Sequence, residues 1–379
     1  MTRGVFLDPL RRDARPRPLL QSDYIQQEDG GETRPSVFLL DFHDVMLEED
    51  SPGSGRLVMY SVEWDETHED WAEDPDPAWR YDANTLRCWK TTDVYEQLLP
   101  SPKGSGTAAQ TVVGAPALPH PRILNYLGSD PWTRFPLLEM PSGTIPLTEF
   151  LTRHLAALYP PSRDGQPSPQ PRIDAAYLPL VYQWTLHMVS ALSFLHTNEI
   201  VLGDLSADSC WLSSPEHVPP LQLSIAGFPD AHYRSYSHSG VQINGFSTSS
   251  AYFHPLREVS SPSRATDISL VGCMIYKFMT GEWPARPAAS QDREEINALF
   301  RSRTLPVSRW VREGRGPALE RAYLGDIARK CWRGDYGEDV QALREDLTQF
   351  IAAEGWVIED GDDMLKDFSL EGLSLDKTV

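Results

Sequence analysis

The chain has 379 residues, of which 40% are hydrophobic and 23% are charged, and its formal net charge is −20 at pH 7. This length is sufficient for two lobes, each with a packed core of its own. The acidic excess argues against nucleic-acid binding, because contacts to phosphates require an excess of lysine and arginine. No stretch approaches the ~20 consecutive apolar residues that cross a bilayer, and no signal-peptide pattern is visible. We therefore expect a cytoplasmic or nuclear protein that makes no membrane contact.

The four cysteines are far apart in the sequence and form no CxxC pair. Their spacing excludes the usual zinc-binding patterns, and their low number predicts free thiols in a reducing compartment. We predict no bound metal on this basis.

The N-terminal part of the chain is rich in strand signals. Residues 1–35 are predicted to be a disordered arm. A hairpin is predicted beyond it, because a Pro-Gly-Ser-Gly turn at 52–55 separates the β-prone runs "SVFLL" and "RLVMY". Residues 61–80 carry eight acidic residues and three tryptophans. This composition is typical of an acidic surface loop with tryptophan anchors, and a partner-binding segment is the alternative.

The later part of the chain is rich in helix signals. We predict a short helix at 91–99 and a longer one in "YLPLVYQWTLHMVSALSFLH", whose apolar residues share one face. The segment "TDISLVGCMIYKFMTG" is apolar nearly all round, which predicts a helix buried in a large core. Two more helices follow in "YLGDIARKCW" and "DVQALREDLTQFI". Strands early and helices late predict an α+β, two-lobe architecture.

From about Tyr95 onward, the order of segments resembles the eukaryotic protein kinase superfamily, and most of all the small kinase-like proteins of filamentous fungi. "ALSFLHTNEIVLGDLSADSCWL" resembles the long helix and catalytic loop, "LQLSIAGF" falls at the metal-binding DFG segment, and "ATDISLVGCMIYKFMTG" resembles the buried anchor helix. The resemblance covers roughly residues 90–352. It implies a small β-rich N-lobe and a larger helical C-lobe. The implied boundaries are a degenerate N-lobe at 36–140 with an acidic insertion at 61–80, a C-lobe at 141–355 and an acidic tail at 356–379.

The resemblance carries over unevenly to the catalytic loop. Asp204 occupies the position of the aspartate that accepts the proton of the substrate hydroxyl, although it could equally serve as the acceptor of a local turn. Ser209 stands where the family has a metal-binding asparagine, and a serine hydroxyl is a poor ligand for a hard cation. Asp267 matches the family's buried anchor, which accepts hydrogen bonds from the backbone of the catalytic loop. The DFG-equivalent segment contains no carboxylate, and Asp230 is the nearest one.

The resemblance is weaker still around the nucleotide. No GxGxxG loop is present, and the lysine that holds the phosphates belongs on a strand ahead of the regulatory helix. Arg87 and Lys90 are the candidates, with a solvated helix-end lysine as the other interpretation of Lys90. Thr91 falls near the position of the helix glutamate, which predicts that the Lys–Glu pair is absent. Glu139 and Met140 fall at the hinge, where backbone groups contact an adenine in the family, and an ordinary connector is an equal alternative.

Three functional hypotheses follow from these residues. The first is a catalytically impaired pseudokinase that acts as a scaffold or regulatory module for protein partners. The second is an active, divergent Ser/Thr kinase that binds ATP and Mg²⁺, with metal ligands supplied by Asp230 or by residues 61–80. The third is a non-catalytic α+β adaptor whose acidic segments bind a basic partner.

Overall fold

The computed structural model describes a defined part of the chain, namely residues 36–40, 55–60, 77–99, 120–129, 135–140, 144–160, 172–203, 205–213, 221–228, 231–233, 263–284, 319–359, 363–366 and 368. Several predictions concern residues outside this set: the arm at 1–35, most of the acidic segment 61–80, the turn at 52–54, Asp204 and Asp230. By its internal contacts the chain divides into two compact units. The first comprises residues 1–142 and 226–249, and the second comprises residues 143–225 and 250–379.

The first unit is a small antiparallel sheet with one long helix. Its described elements are β1 (Ser36–Leu40), β2 (Gly55–Tyr60), α1 (Pro77–Leu98), β3 (Tyr126–Ser129) and β4 (Pro136–Met140). The strand order is β1-β2-β4-β3. The predicted hairpin is confirmed, since β1 and β2 pair with Ser36 opposite Tyr60 and Leu40 opposite Arg56. Helix α1 packs on β2, β3 and β4.

Helix α1 is much longer than the sequence indicates. A helix was expected only from residue 91, but the helix begins at Pro77, a residue type that favours the first helical position. Its buried side chains recur every three or four residues, at Cys88, Thr91, Tyr95 and Leu98. This spacing is that of one helical face, so burial against the sheet extends the helix beyond its local preference.

The second unit is mainly helical. Its described elements are β5 (Ile145–Pro146), α2 (Leu147–Arg153), α3 (Leu155–Leu158), α4 (Leu178–Thr197), β6 (Cys210–Ser213), β7 (Gln222–Ile225), α5 (Arg264–Thr280), α6 (Gly325–Arg333) and α7 (Val340–Ala353). Strands β5, β6 and β7 form an antiparallel sheet in that order. All four long helices predicted from the sequence after residue 170 are present.

The core of the second unit surrounds α4 and α5. Helix α5 is buried on nearly every side, as its continuous apolar sequence predicts. Helix α4 is also buried almost all round, which goes beyond the single apolar face expected for it. Ser263 caps α5 by accepting a hydrogen bond from the Thr266 backbone N–H, and Gly281 ends the helix in the left-handed region at φ +78°. All four cysteines are free and buried.

The chain returns to this core after α7. We call the described residues 356–359, 363–366 and 368 the C-terminal strap. Ile358 and Leu365 form an antiparallel bridge, and Met364, Leu365 and Phe368 are buried. Burying an apolar side chain stabilises by about 1.5–3 kcal/mol, and ordering the backbone costs about 1–2 kcal/mol per residue. The burial of these three side chains therefore does not exceed the cost of ordering the nine described residues of the strap.

None of the described helices is long and apolar enough to cross a membrane.

The close contact of α5 with α6 predicts that a larger side chain at Gly272 lowers the stability of the protein. A Cβ added at Gly272 would lie 2.9 Å from Cys331 Cβ and 2.9 Å from Trp332 Nε1. Gly272→Ala would raise helix propensity by about 1 kcal/mol in open space, but overpacking costs about 1–3 kcal/mol. We expect the substitution to lower the free energy of unfolding in urea titrations. Thr348→Ala, at an exposed position of α7, is the control and should change it by less than about 0.5 kcal/mol. A stabilised Gly272→Ala protein would contradict this packing.

Candidate functional site

The backbone of the loop that follows α4 donates hydrogen bonds to one buried carboxylate. Asp267, in the first turn of α5, is fully buried. Its Oδ2 accepts from the Leu202 backbone N–H at 2.8 Å and its Oδ1 from the Gly203 backbone N–H at 2.8 Å. His196 Nε2 lies 2.9 Å from the same Oδ2. The prediction that Asp267 accepts hydrogen bonds from the backbone of this loop is confirmed by these contacts.

The residues around this carboxylate are fixed as well. Gly203 has φ +77°, a conformation that favours glycine. The guanidinium of Arg264 donates to the His196 carbonyl at 2.8 Å, which ties the end of α4 to the start of α5. The backbone on both sides of residue 204 is therefore positioned, while Asp204 itself lies outside the described residues. Its predicted role as proton acceptor stays a prediction.

Ser209 is engaged in a local turn. It is buried and ends a short 3₁₀ helix, Ala207–Ser209. Its hydroxyl donates to the Ser206 carbonyl at 2.9 Å and accepts from the Ser206 N–H at 3.1 Å. Both hydrogen-bonding functions of the hydroxyl are used within the loop. The arrangement stabilises the turn and leaves Ser209 a weaker metal ligand than the asparagine amide that the family has here.

The DFG-equivalent segment is bound to α1. The Phe228 N–H donates to Thr91 Oγ1 at 3.1 Å, and the Gly227 N–H donates to the Tyr95 hydroxyl at 3.5 Å. The rings of Phe228 and Tyr95 meet edge to face with centroids 4.8 Å apart, and Tyr95 stacks on Tyr126 at 5.1 Å. If Phe228 is aligned with the aromatic residue of a DFG segment, Gly227 falls at the position of its carboxylate. A glycine has no side chain to offer a cation.

A second contact extends this attachment. The Tyr233 hydroxyl donates to Asp93 Oδ2 at 3.0 Å. Burial, followed by the neighbouring Asp93 carboxylate, raises the pKa of the Tyr233 phenol above its usual value, so that it remains a donor. We call the contacts of Thr91, Asp93 and Tyr95 with residues 227–233 the α1 latch. Sequence reasoning identified Thr91 as the residue replacing the glutamate but missed the rest of the latch, because its partners are more than 130 residues apart.

The expected strand position of Arg87 and Lys90 is wrong. Both residues lie within α1, and Lys90 is buried at 8% exposure, which also contradicts a solvated lysine at a helix end. The strand that precedes α1 and pairs with β4 is β2, whose sequence GRLVMY contains no lysine. The local sequence "TLRCWK" has strand-favouring residues, but packing of the helix face overrides that preference. Strand β2 lies directly before the acidic insertion. This position in the sequence could have identified it as the strand that precedes α1.

The predicted hinge residues end strand β4. The Glu139 N–H donates to the Asn125 carbonyl at 2.8 Å, and its carboxylate accepts from Asn125 Nδ2 at 2.8 Å. Met140 pairs in register with Gly55 of β2. These contacts belong to the sheet, and a role in adenine binding stays a prediction. Among the described residues, no group of three or more His, Cys, Asp or Glu side chains could hold a metal ion.

Sequence similarity to the relatives below is limited to part of the chain. No protein-family profile matches the chain. Over 104 residues the chain is 29% identical to 3-phosphoinositide-dependent protein kinase 1 of Homo sapiens, which covers 27% of this chain and 18% of that protein. The proteins of the same name from Rattus norvegicus and Mus musculus match to the same extent. The chain thus spans less than a fifth of the length of these curated relatives.

Among solved structures, the chain resembles the crystal structure of the Rad53 kinase domain and SCD2. The TM-score is 0.40 at 17% sequence identity, and the match covers 66% of this chain and 76% of the other. The element order and the contacts of Asp267 give the chain a protein kinase-like fold.

The anchor generates a prediction about stability. Asp267→Asn keeps the size of the side chain but replaces one acceptor oxygen with a donor NH₂ group. One buried backbone N–H is then left without an acceptor. Hydrogen bonds to a charged group contribute about 1.5–3 kcal/mol each, so we expect a loss of at least that size in chemical unfolding. Asp326→Asn is the control, since its carboxylate pairs with Arg329 at the surface and should cost less than about 1 kcal/mol. Equal stabilities of the two variants would refute the anchor.

The α1 latch generates a second prediction about stability. Thr91→Val preserves the shape of the side chain but removes the acceptor of the buried Phe228 N–H. We expect a loss of about 1–3 kcal/mol and faster hydrogen exchange at the Phe228 amide. Thr92→Val is the matched control, because the Thr92 hydroxyl donates to the Cys88 carbonyl of its own helix. If both substitutions have the same effect, the hydroxyl of Thr91 has no part in the latch.

Proposed function

We propose that the protein is a catalytically impaired pseudokinase that serves as a scaffold or regulatory module for protein partners. The observation that carries the proposal is the contrast between an intact loop anchor and missing metal ligands. Asp267 holds the loop backbone with two hydrogen bonds of 2.8 Å. The two positions that bind Mg²⁺ in protein kinases are taken by Ser209, whose hydroxyl is used in a turn, and by Gly227.

The size of the resulting deficit supports impairment. Metal ions that bridge the phosphates contribute several kcal/mol of charge stabilisation in the transition state, and each ~1.4 kcal/mol is a factor of ten in rate. Positioning and charge neutralisation dominate phosphoryl transfer, so a proton acceptor at Asp204 would not compensate for the loss. The absence of a lysine in β2 and of a glutamate at Thr91 removes the ion pair that orients the phosphates in active kinases.

The α1 latch supports a role in binding rather than in turnover. In an active kinase the placement of the regulatory helix depends on an ion pair that can form and break. Here the helix is attached by hydroxyl and ring contacts that involve no nucleotide. A helix attached in this way presents a constant surface, which suits a module that acts by binding.

Nucleotide binding and phosphate transfer together test the proposal. We expect no transfer of the γ-phosphate of ATP to casein or to the protein itself above the level of the Asp204→Asn variant. The melting temperature should not rise when Mg²⁺ is added to millimolar ATP, because neither Ser209 nor Gly227 offers a strong ligand for the cation. Asp208→Asn is the matched control, since it removes the same charge from the same loop.

Two further outcomes are informative. Transfer that is abolished by Asp204→Asn and retained by Asp208→Asn would overturn the proposal and establish a divergent kinase. Binding of ATP without transfer would support the proposal and identify the nucleotide as a structural ligand.

A further inference from the structure

A buried glutamine in α4 receives the C-terminal strap. Gln183 is fully buried within an otherwise apolar stretch of the helix. Its Nε2 donates to the Leu221 carbonyl at 3.3 Å, and its Oε1 accepts from the Leu365 backbone N–H at 3.1 Å. A buried carboxamide without partners is costly. Gln183 is therefore matched to one N–H of an extended peptide backbone, whatever the side chain of that residue.

An ion pair adds selectivity for charge. Arg344 of α7 contacts Asp363 at 2.6 Å between Nη2 and Oδ1. The Asp363 side chain is only 12% exposed, whereas that of Arg344 is 39% exposed. Because the carboxylate is the more enclosed partner, the site favours an acidic residue two positions before the residue that Gln183 binds. A basic residue there would face the guanidinium.

Apolar contacts complete the site. Met364 and Leu365 follow the acidic residue directly and are both buried. Phe368 is also buried and meets Trp356 edge to face, with ring centroids 5.8 Å apart. The strap therefore combines four recognition elements in a fixed order: an acid, two large apolar residues and an aromatic residue three positions further on.

We propose that α4, α7 and residues 356–359 form a peptide-binding site around Gln183 and Arg344, and that the later part of the strap, residues 363–366 and 368, is its exchangeable intramolecular occupant. The partner that fits is a protein segment with the pattern acid–apolar–apolar–x–x–aromatic, in which the acidic residue adopts the left-handed backbone of Asp363, at φ +54°. Exchange is feasible because the burial of three apolar side chains does not exceed the cost of ordering the strap. A tethered segment competes at high effective concentration, so an external peptide binds only when the strap is released or weakened. The proposal holds whether or not the chain binds a nucleotide.

A vacated site in the full-length chain tests this directly. The double substitution Leu365→Asp and Phe368→Asp removes two of the three buried apolar residues of the strap and leaves α4 and α7 unchanged. A fluorescently labelled peptide with the sequence of residues 361–372 should bind this variant in anisotropy titrations and should bind the wild-type chain at least about tenfold more weakly. A peptide of the same composition in scrambled order is the control. Equal binding of the scrambled peptide, or no binding to a double variant with a native circular dichroism spectrum, would overturn the proposal.

A charge exchange across the interface sharpens the test. In the vacated chain, the peptide carrying Asp363→Arg should bind about fivefold more weakly than the unaltered peptide, since a partly exposed ion pair contributes up to about 1 kcal/mol. Adding Arg344→Glu to the chain should reverse that preference. If the order of the two peptides does not change, Arg344 does not read the acidic residue.

Hydrogen exchange on the wild-type chain provides a measurement that does not depend on the folding of the vacated double variant. The Leu365 amide should exchange through local release of the strap, at least about tenfold faster than the Met274 amide in the middle of α5. Arg344→Glu should accelerate exchange at Leu365 and leave Met274 unchanged. Exchange of both amides at one common slow rate would mean that only global unfolding frees the strap, which would overturn the proposal.

Discussion

The helical unit depends on the burial of a single charge. Enclosing the Asp267 carboxylate costs several kcal/mol unless donors converge on it. Those donors are available only when the chain from His196 to Gly203 adopts its observed turn, with the glycine in the left-handed region. The charge and the loop conformation therefore require each other. This requirement concerns folding alone and involves no nucleotide or metal ion.

The small unit uses a different chemistry for a comparable purpose. Its helix α1 is attached through the hydroxyl groups of Thr91 and Tyr95 and through the packing of Phe228. These contacts are made by neutral groups and are therefore less sensitive to salt than an exposed ion pair. The Tyr233–Asp93 hydrogen bond adds a carboxylate, which repels a phosphate rather than binding it.

The parts of this structure that were predictable from sequence are those determined locally. Helix α5 is predictable because its sequence is too apolar for a helix at the surface. Asp267 is predictable because it lies at the start of this helix, where the helix dipole favours a carboxylate. The beginning of α1 was not predictable, because residues 77–90 show no clear apolar face and fold as a helix through contacts with a distant sheet. Lys90 was misplaced for the same reason. The hydrogen bond between Gln183 and the strap was not predictable either, since a buried polar residue in a helix gives no indication in the sequence of its partner.

The division of the chain into units has a consequence for the order in which the protein is made. The latch joins α1 to residues that follow it by 132 to 140 positions, and the intervening segment builds much of the other unit. A ribosome that has released α1 must still synthesise β5, α4, β6 and β7 before the partners of that helix exist. Contacts of such long sequence separation form late and slow folding. The N-terminal unit is therefore the first to be started, but it can be completed only after residues 143–225 of the other unit have been synthesised.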